Sequence, residues 1–287
     1  MIPKSGNRFS DKIMSNQTYV DAKGFKLPIV GLGTWQLTGR ECTRLVEQAI
    51  RLGYRHIDTA QMYGNEAAVG EGVRASGKRA EVVVTTKVQP ERLAPHDLER
   101  SVKESLHKLR LDIIDLLLIH WPNPRVPLAE TLGAMAKVKQ DGYVRALGVS
   151  NFTVALLDEA SKATAEPLVC NQIECHPFLD QSKVIAACHK HGMAVVAYSP
   201  IARGGAQGDA VLEKIGLAHG KSAAQISLRY LVQQGIVVIP RTSKIQRLEE
   251  NIALFDFTLS DAEMAEIRAL SQRQGRIVDW SWSPQWD

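Results

Sequence analysis

The sequence contains no apolar run approaching the ~18–20 residues that cross a bilayer, so no transmembrane helix is expected. It has no basic cluster either. The 35 lysines and arginines are scattered among 31 acidic residues, and a net charge of +4 offers no footprint to nucleic acid or an anionic membrane. Cysteine is scarce: Cys42, Cys170, Cys175 and Cys188 show no CxxC spacing, and a chain of 287 residues needs no disulfide staple. They read as thiols in a reducing cytoplasm, not as metal ligands. Residues 1–17 lack the apolar core of a signal peptide. They are expected to form a disordered extension, with Met14 as an alternative start, ahead of one domain over 18–287. A complete GxGxxG turn is missing too. Gly31-Leu32-Gly33 begins one that nothing completes, which argues against a doubly wound dinucleotide-binding sheet.

What is present is an ordinary globular composition, 45% hydrophobic and 23% charged, in a chain long enough for one large core. Eight short apolar runs recur at 29–33, 54–58, 82–87, 115–120, 144–150, 168–173, 193–199 and 236–240. Their continuous hydrophobicity suits strands buried on both faces, as in a parallel sheet. Helical periods separate them. Leu98, Val102, Leu106 and Leu109 share one face after Pro95; Leu128, Leu132 and Met135 follow Pro127; Ile245, Leu248 and Ile252 repeat the pattern. Ser260 and Glu263 have capping-box spacing for an extra helix. Residues 18–28, with a Lys23-Gly24 turn, read as a hairpin across the bottom of the fold. Eight strand–helix units with no break in composition predict an α/β fold, a single (β/α)8 TIM barrel with an N-terminal hairpin and a C-terminal helix and tail.

Active sites of such barrels sit at the C-terminal ends of the strands. Asp58, Lys87 and His120 each close an apolar run, and Tyr63 follows Asp58 by one short loop. Taken singly, each has a plainer explanation, since a strand-end aspartate or tyrosine is commonly structural and a buried Asp–Lys pair commonly only neutralises itself. Four such residues at the same end of three consecutive strands point to chemistry.

Residues 52–66 (LGYRHIDTAQMYGNE) resemble the first signature of the aldo-keto reductase family. Further matches follow in order: LLIHWP at 117–122, LGVSNF at 147–152, NQIECHP at 171–177, AYSP at 197–200 and IPRTSKIQRLEEN at 239–251. The resemblance spans about 18–287, with a bacterial branch of 2,5-diketogluconate and methylglyoxal reductases as the nearest in character. It implies NADPH-dependent reduction of aldehydes and ketones by a tetrad of Asp58, Tyr63, Lys87 and His120. Tyr63 would donate the proton. Lys87 would lower the phenol's ordinary pKa of about 10, Asp58 would hold Lys87, and a neutral His120 would orient the carbonyl. It further implies a cofactor site. Gly33 and Thr34 would line it, Tyr198 would stack on the nicotinamide, and Ser150, Asn151 and Gln172 would hold the carboxamide. Ser199 would begin the pyrophosphate loop, and Arg241, Thr242, Arg247, Glu250 and Asn251 would meet the adenosine end. The family's usual lysine is replaced by Arg241, which keeps the charge for a 2′-phosphate but changes its geometry.

Trp35, Met62 and Trp121 match the substrate wall of that family. The short loop between His120 and Pro127 predicts small or polar carbonyl substrates such as methylglyoxal and keto-sugars. The Gly-rich segment 203–208 is expected to close over bound cofactor, and the tryptophan-dense tail 280–287 to form a lid, a dimer contact or wall packing. No metal, nucleic acid or membrane partner is expected, and a monomer is, with a dimer as the alternative. Two other functions remain open from sequence: alcohol or sugar oxidation by the same site, and a non-catalytic barrel that binds nicotinamide.

Overall fold

A computed structural model of the chain describes residues 19–273 and 275–287. The expected extension over 1–17 lies outside the described residues. The chain begins with an antiparallel hairpin, β1 (Tyr19–Ala22) and β2 (Phe25–Pro28), turned at Lys23 and Gly24, both at positive φ. Eight parallel strands follow: β3 (Leu32–Gly33), β4 (His56–Asp58), β5 (Val83–Val88), β6 (Ile114–Ile119), β7 (Val144–Ser150), β8 (Leu168–Glu174), β9 (Ala194–Tyr198) and β10 (Val237–Val238). Each lies within or nearly within one of the eight apolar runs, and they pair in chain order. The sheet closes on itself through a parallel bridge between Val30 and Val238. Gly31 donates its N–H to Val238 O at 2.8 Å, and Gly33 to Pro240 O at 3.1 Å.

That seam is tight. A Cβ on Gly33 would stand 2.7 Å from Ile239 O, so only glycine lets the first and last strands approach this closely. Inside the barrel, alternate residues point inward to form a compact cluster of Leu116, Leu118, Ala146, Val169, Ala194, Val196 and Val237. Ala22 and Leu27 of the hairpin belong to the same cluster, so the hairpin plugs the bottom of the barrel as expected.

The outward-facing strand residues pack against the helices. These are α1 (Gly39–Arg51), α2 (Glu66–Ala75), α3 (Pro95–Leu109), α4 (Leu128–Gln140), α5 (Val154–Ala163), α6 (Ser182–Lys190), α7 (Ala210–His219), α8 (Ala223–Val232), α9 (Ile245–Ile252) and α10 (Asp261–Ala269). In α3 the buried face is Leu98, Ser101, Val102, Ser105, Leu106 and Leu109, the expected stripe with two serines interleaved. Pro95 occupies its first turn, where a missing N–H costs nothing. The Ser260–Glu263 capping box forms at α10, and a second, Ser222–Gln225, starts α8. Among the described residues no helix is long and apolar enough to cross a membrane. All four cysteines are buried free thiols, and burial raises their pKa values, that of Cys42 to about 12, which leaves them unreactive at neutral pH.

Candidate active site

Pairing in register brings the strand ends to one rim. Gly33 lies beside Asp58, Asp58 beside Thr85, Ser150 beside Gln172, and Glu174 beside Tyr198. Above that rim opens a cavity of about 650 Å³. Beneath it sits Lys87, fully buried on β5, whose Nζ donates to Asp58 Oδ1 at 2.5 Å and to Thr59 O at 2.8 Å. Its remaining reach is toward the Tyr63 hydroxyl, 3.4 Å away. The second oxygen of Asp58 accepts from Gln172 Nε2 at 2.7 Å. Both charges are thus paired and hydrogen-bonded, which is the condition for an ion pair to persist without water. The Tyr63 and His120 rings meet edge to face at 5.6 Å.

Burial dominates the electrostatics of this cluster. It pulls Lys87 below its ordinary pKa while the Asp58 carboxylate opposes that fall. It drives His120 well down, with the Lys87 charge adding to the effect, so the imidazole is neutral at pH 7. It drives Tyr63 well above its ordinary pKa, and the negative charge of Asp58 adds to that. The last result corrects the expectation that Lys87 lowers the Tyr63 pKa in the resting protein. The lysine charge is balanced at close range by Asp58, so little net positive potential offsets the loss of water around the phenol. Tyr63 therefore holds its proton.

A short 3₁₀ turn, Gln61–Tyr63, carries the phenol. Gln61 fastens this turn to α3 by donating to Ser105 Oγ at 3.0 Å and Ser101 O at 3.2 Å, and it accepts the Gln89 N–H at 3.2 Å. Asn65 fastens the other side, donating to Thr34 O and Leu37 O and accepting from Thr59 Oγ1 at 2.6 Å. Neither residue emerged from sequence reading; the interleaved serines of α3 were the available signal for Gln61.

The polar residues of the next strands form one network. Asn151, at φ 62°, donates to His120 O and Ser150 Oγ and accepts the Tyr198 hydroxyl at 2.9 Å; Ser150 donates to Gln172 O at 2.8 Å. Of the residues expected at a cofactor or substrate site, Gly33, Thr34, Trp35, Met62, Trp121, Ser150, Asn151, Gln172, Tyr198, Ser199, Arg241 and Arg247 all line the cavity, with Asp58, Tyr63 and His120. Lys87 stands behind this wall. Thr242, Glu250 and Asn251 do not border the cavity. Thr242 accepts the Lys244 N–H ahead of α9, Glu250 is exposed, and Asn251 is buried on the core side of that helix.

Three guanidiniums, those of Arg203, Arg241 and Arg247, line the cavity. Arg241 donates to the carbonyls of Trp35 at 3.2 Å and Gln36 at 3.4 Å, and the Arg203 guanidinium lies 4.6 Å from the centre of the Trp35 ring. The segment after β9, which also lines the cavity, holds Ser199, Ala202 and Arg203 at positive φ. Hydroxyl and amide groups at the strand ends, a tyrosine ring beside them and three guanidiniums in the same wall match the chemistry of a nicotinamide and of phosphates. Ile201, Ile239 and Val278 also line the wall and were not anticipated, because apolar residues in loops carry no chemical signal in sequence.

A model of the aldo/keto reductase family matches residues 29–272. Methylglyoxal reductase DkgB of Escherichia coli O157:H7 is 39% identical over 265 residues, covering 91% of this chain and 99% of that protein. A solved structure described as a 2,5-diketo-D-gluconic acid reductase B superposes with a TM-score of 0.93 at 44% identity, covering 96% of this chain and 99% of that one. A Bombyx mori aldo-keto reductase in complex with NADP has a TM-score of 0.86 at 36% identity, covering 92% and 96%.

Proposed function

The chain belongs to the aldo/keto reductase family and is an oxidoreductase, and from that premise we propose that it reduces small aldehydes and ketones to alcohols with NADPH. The observation that carries this reading is the buried line from Asp58 through Lys87 Nζ to the Tyr63 hydroxyl, ending at the cavity beside His120. Similarity to a methylglyoxal reductase and to a 2,5-diketo-D-gluconic acid reductase supports small polar carbonyls, methylglyoxal and keto-sugars among them. The NADP complex of the Bombyx mori relative, with the arginines lining this cavity, supports the phosphorylated cofactor.

Tyr198 would flank the nicotinamide ring, Ser150, Asn151 and Gln172 its carboxamide, and Arg241 and Arg247 the phosphate end. The bound cofactor supplies hydride to the carbonyl carbon. The negative charge then developing on the carbonyl oxygen needs a proton and oriented donors. Tyr63, kept protonated by burial, gives its hydroxyl proton to that oxygen. The phenolate so formed faces Lys87 Nζ at 3.4 Å, and Asp58 holds the ammonium charged and in place. A donor aimed at developing charge in a dry site is worth about 10²–10³-fold in rate. Neutral His120 donates to the same oxygen and fixes its orientation.

The test is NADPH consumption, followed by absorbance, with methylglyoxal, glyceraldehyde and keto-sugars. Tyr63→Phe is expected to lower kcat by about 10²–10⁴-fold with NADPH affinity unchanged. Undiminished turnover in that variant would remove Tyr63 as the donor, and absence of NADPH binding by the native chain would remove the cofactor assignment.

A further inference from the structure

Glu174 ends β8 as Asp58 ends β4, yet among the described residues no lysine or arginine pairs with it. Its side chain is fully buried, and its carboxylate accepts the backbone N–H groups of Ile277 at 2.6 Å and Val278 at 2.8 Å, more than a hundred residues further along the chain. A third donor is His176 Nε2 at 3.0 Å; His176 Nδ1 receives the Phe178 N–H, which leaves the ring proton on Nε2 for Glu174. Gly275 N–H joins Phe178 O at 2.8 Å, so the start of the tail is fastened to the exit of β8 at two points.

Directly after this clasp the tail enters the cavity wall with Val278, Trp280 and Trp282. Trp282 meets the Trp121 ring edge to face at 5.0 Å, and Trp280 lies parallel to Trp282. Beyond them Trp286 meets the Trp121 ring at 6.1 Å with the Arg276 guanidinium over its face, the tail adds Trp286 Nε1 to Asp279 and Trp280 N–H to Ser283 Oγ, and Asp287 accepts the Val154 N–H at the start of α5. Large hydrophobic side chains are exposed at six described positions, and four of them, Trp35, Met62, Trp280 and Trp282, surround this one mouth. The tryptophan faces of this rim give added contact to a carbonyl compound that extends past the tetrad and presents a flat apolar face.

Building on the reductase reading, we propose that Glu174 is a positioning residue: it clamps the C-terminal segment so that Trp280 and Trp282 form a binding wall for carbonyl compounds bearing a flat apolar group. Glu174 touches neither reacting atom and acts through the tail. A carboxylate can accept all three N–H groups, whereas an amide in its place would turn one NH₂ toward a donor and leave a buried N–H unsatisfied.

The test compares methylglyoxal with phenylglyoxal, which carries the same dicarbonyl and differs only in the flat group. Native protein should show a lower KM for phenylglyoxal. Glu174→Gln should raise that KM about tenfold, with kcat, the methylglyoxal KM and NADPH affinity held within about twofold, the split expected when binding contacts outside the chemistry are lost. Acrylamide should quench tryptophan fluorescence more strongly in the variant. The surface double variant Trp280→Ala/Trp282→Ala, which leaves the core intact, should abolish the phenylglyoxal preference by itself, and Glu174→Gln added to it should change little more. An equal loss for both glyoxals, a change in NADPH affinity, unchanged quenching, or a double variant that keeps the preference would each overturn the assignment. A native protein that consumes NADPH with neither glyoxal would sink the reductase reading instead, and the quenching result would still report on the clamp.

Discussion

Among individual residues, Lys87 is the most constrained, a fully buried ammonium whose three partners are Asp58, Thr59 O and Tyr63. Lys87→Met leaves the Asp58 carboxylate buried with only Gln172 beside it, and chemical denaturation is expected to register a loss of about 3–5 kcal/mol. Adding Asp58→Asn should restore much of that stability while activity stays lost, because the penalty is an unpaired charge and the proposed chemistry needs the cation. His56 is constrained differently. It is buried with Nε2 against Thr85 Oγ1 at 2.9 Å, Nδ1 has no hydrogen-bond partner among the described residues, and burial lowers its pKa to about 4. The unfolded chain therefore binds a proton that the folded one refuses between pH 6.5 and about 4. The stability present above pH 6.5 is lost as pH falls through that window, by on the order of 3 kcal/mol for this group. Denaturant midpoints at pH 7 and pH 4.5 should differ accordingly, and His56→Asn should flatten the slope.

Elements depend on space as much as on propensity. Where β3 meets β10, a Gly33→Ala methyl would press on Ile239 O at 2.7 Å, with backbone on both sides and nowhere to move. The seam must open beside Asp58, at a cost of about 1–3 kcal/mol. Gly133 gives the contrasting case. It sits exposed within α4 with nothing near its would-be Cβ, so Gly133→Ala is expected to stabilise by about 0.5–1 kcal/mol. Guanidinium midpoints of the two variants, moving in opposite directions, would separate the effect of close approach from that of helix propensity.

The molecule as a whole responds to its cofactor through mass action. NADPH at a hundred times its dissociation constant should add about 2.7 kcal/mol and raise the thermal midpoint by about 5 °C. Arg241→Ala and Arg247→Ala should each shrink that rise for NADPH more than for NADH, since the arginines of the cavity wall are expected to take the 2′-phosphate. Equal shrinkage with the two cofactors would move the phosphate contact elsewhere, with Arg203 next in line.

Strands, helices and their order were legible in sequence because the information is local: apolar runs of strand length, stripes at helical period, prolines and capping residues at the right offsets. Asp58, Lys87 and His120 were legible for the same reason, as polar residues ending apolar strands, and Tyr63 as the residue one short loop beyond Asp58. Glu174 has that same signature, but its partners are backbone N–H groups far along the chain, which no pattern announces. The motif around Arg241 singled out Thr242, Glu250 and Asn251, and their surroundings are visible only in the fold: Thr242 accepts the Lys244 N–H, Glu250 is exposed, and Asn251 is buried on the core side of α9. The direction of the Tyr63 pKa was likewise settled only in three dimensions. Sequence identifies the charges; the balance between burial and the Asp58–Lys87 pairing depends on distances that exist only once the barrel has closed.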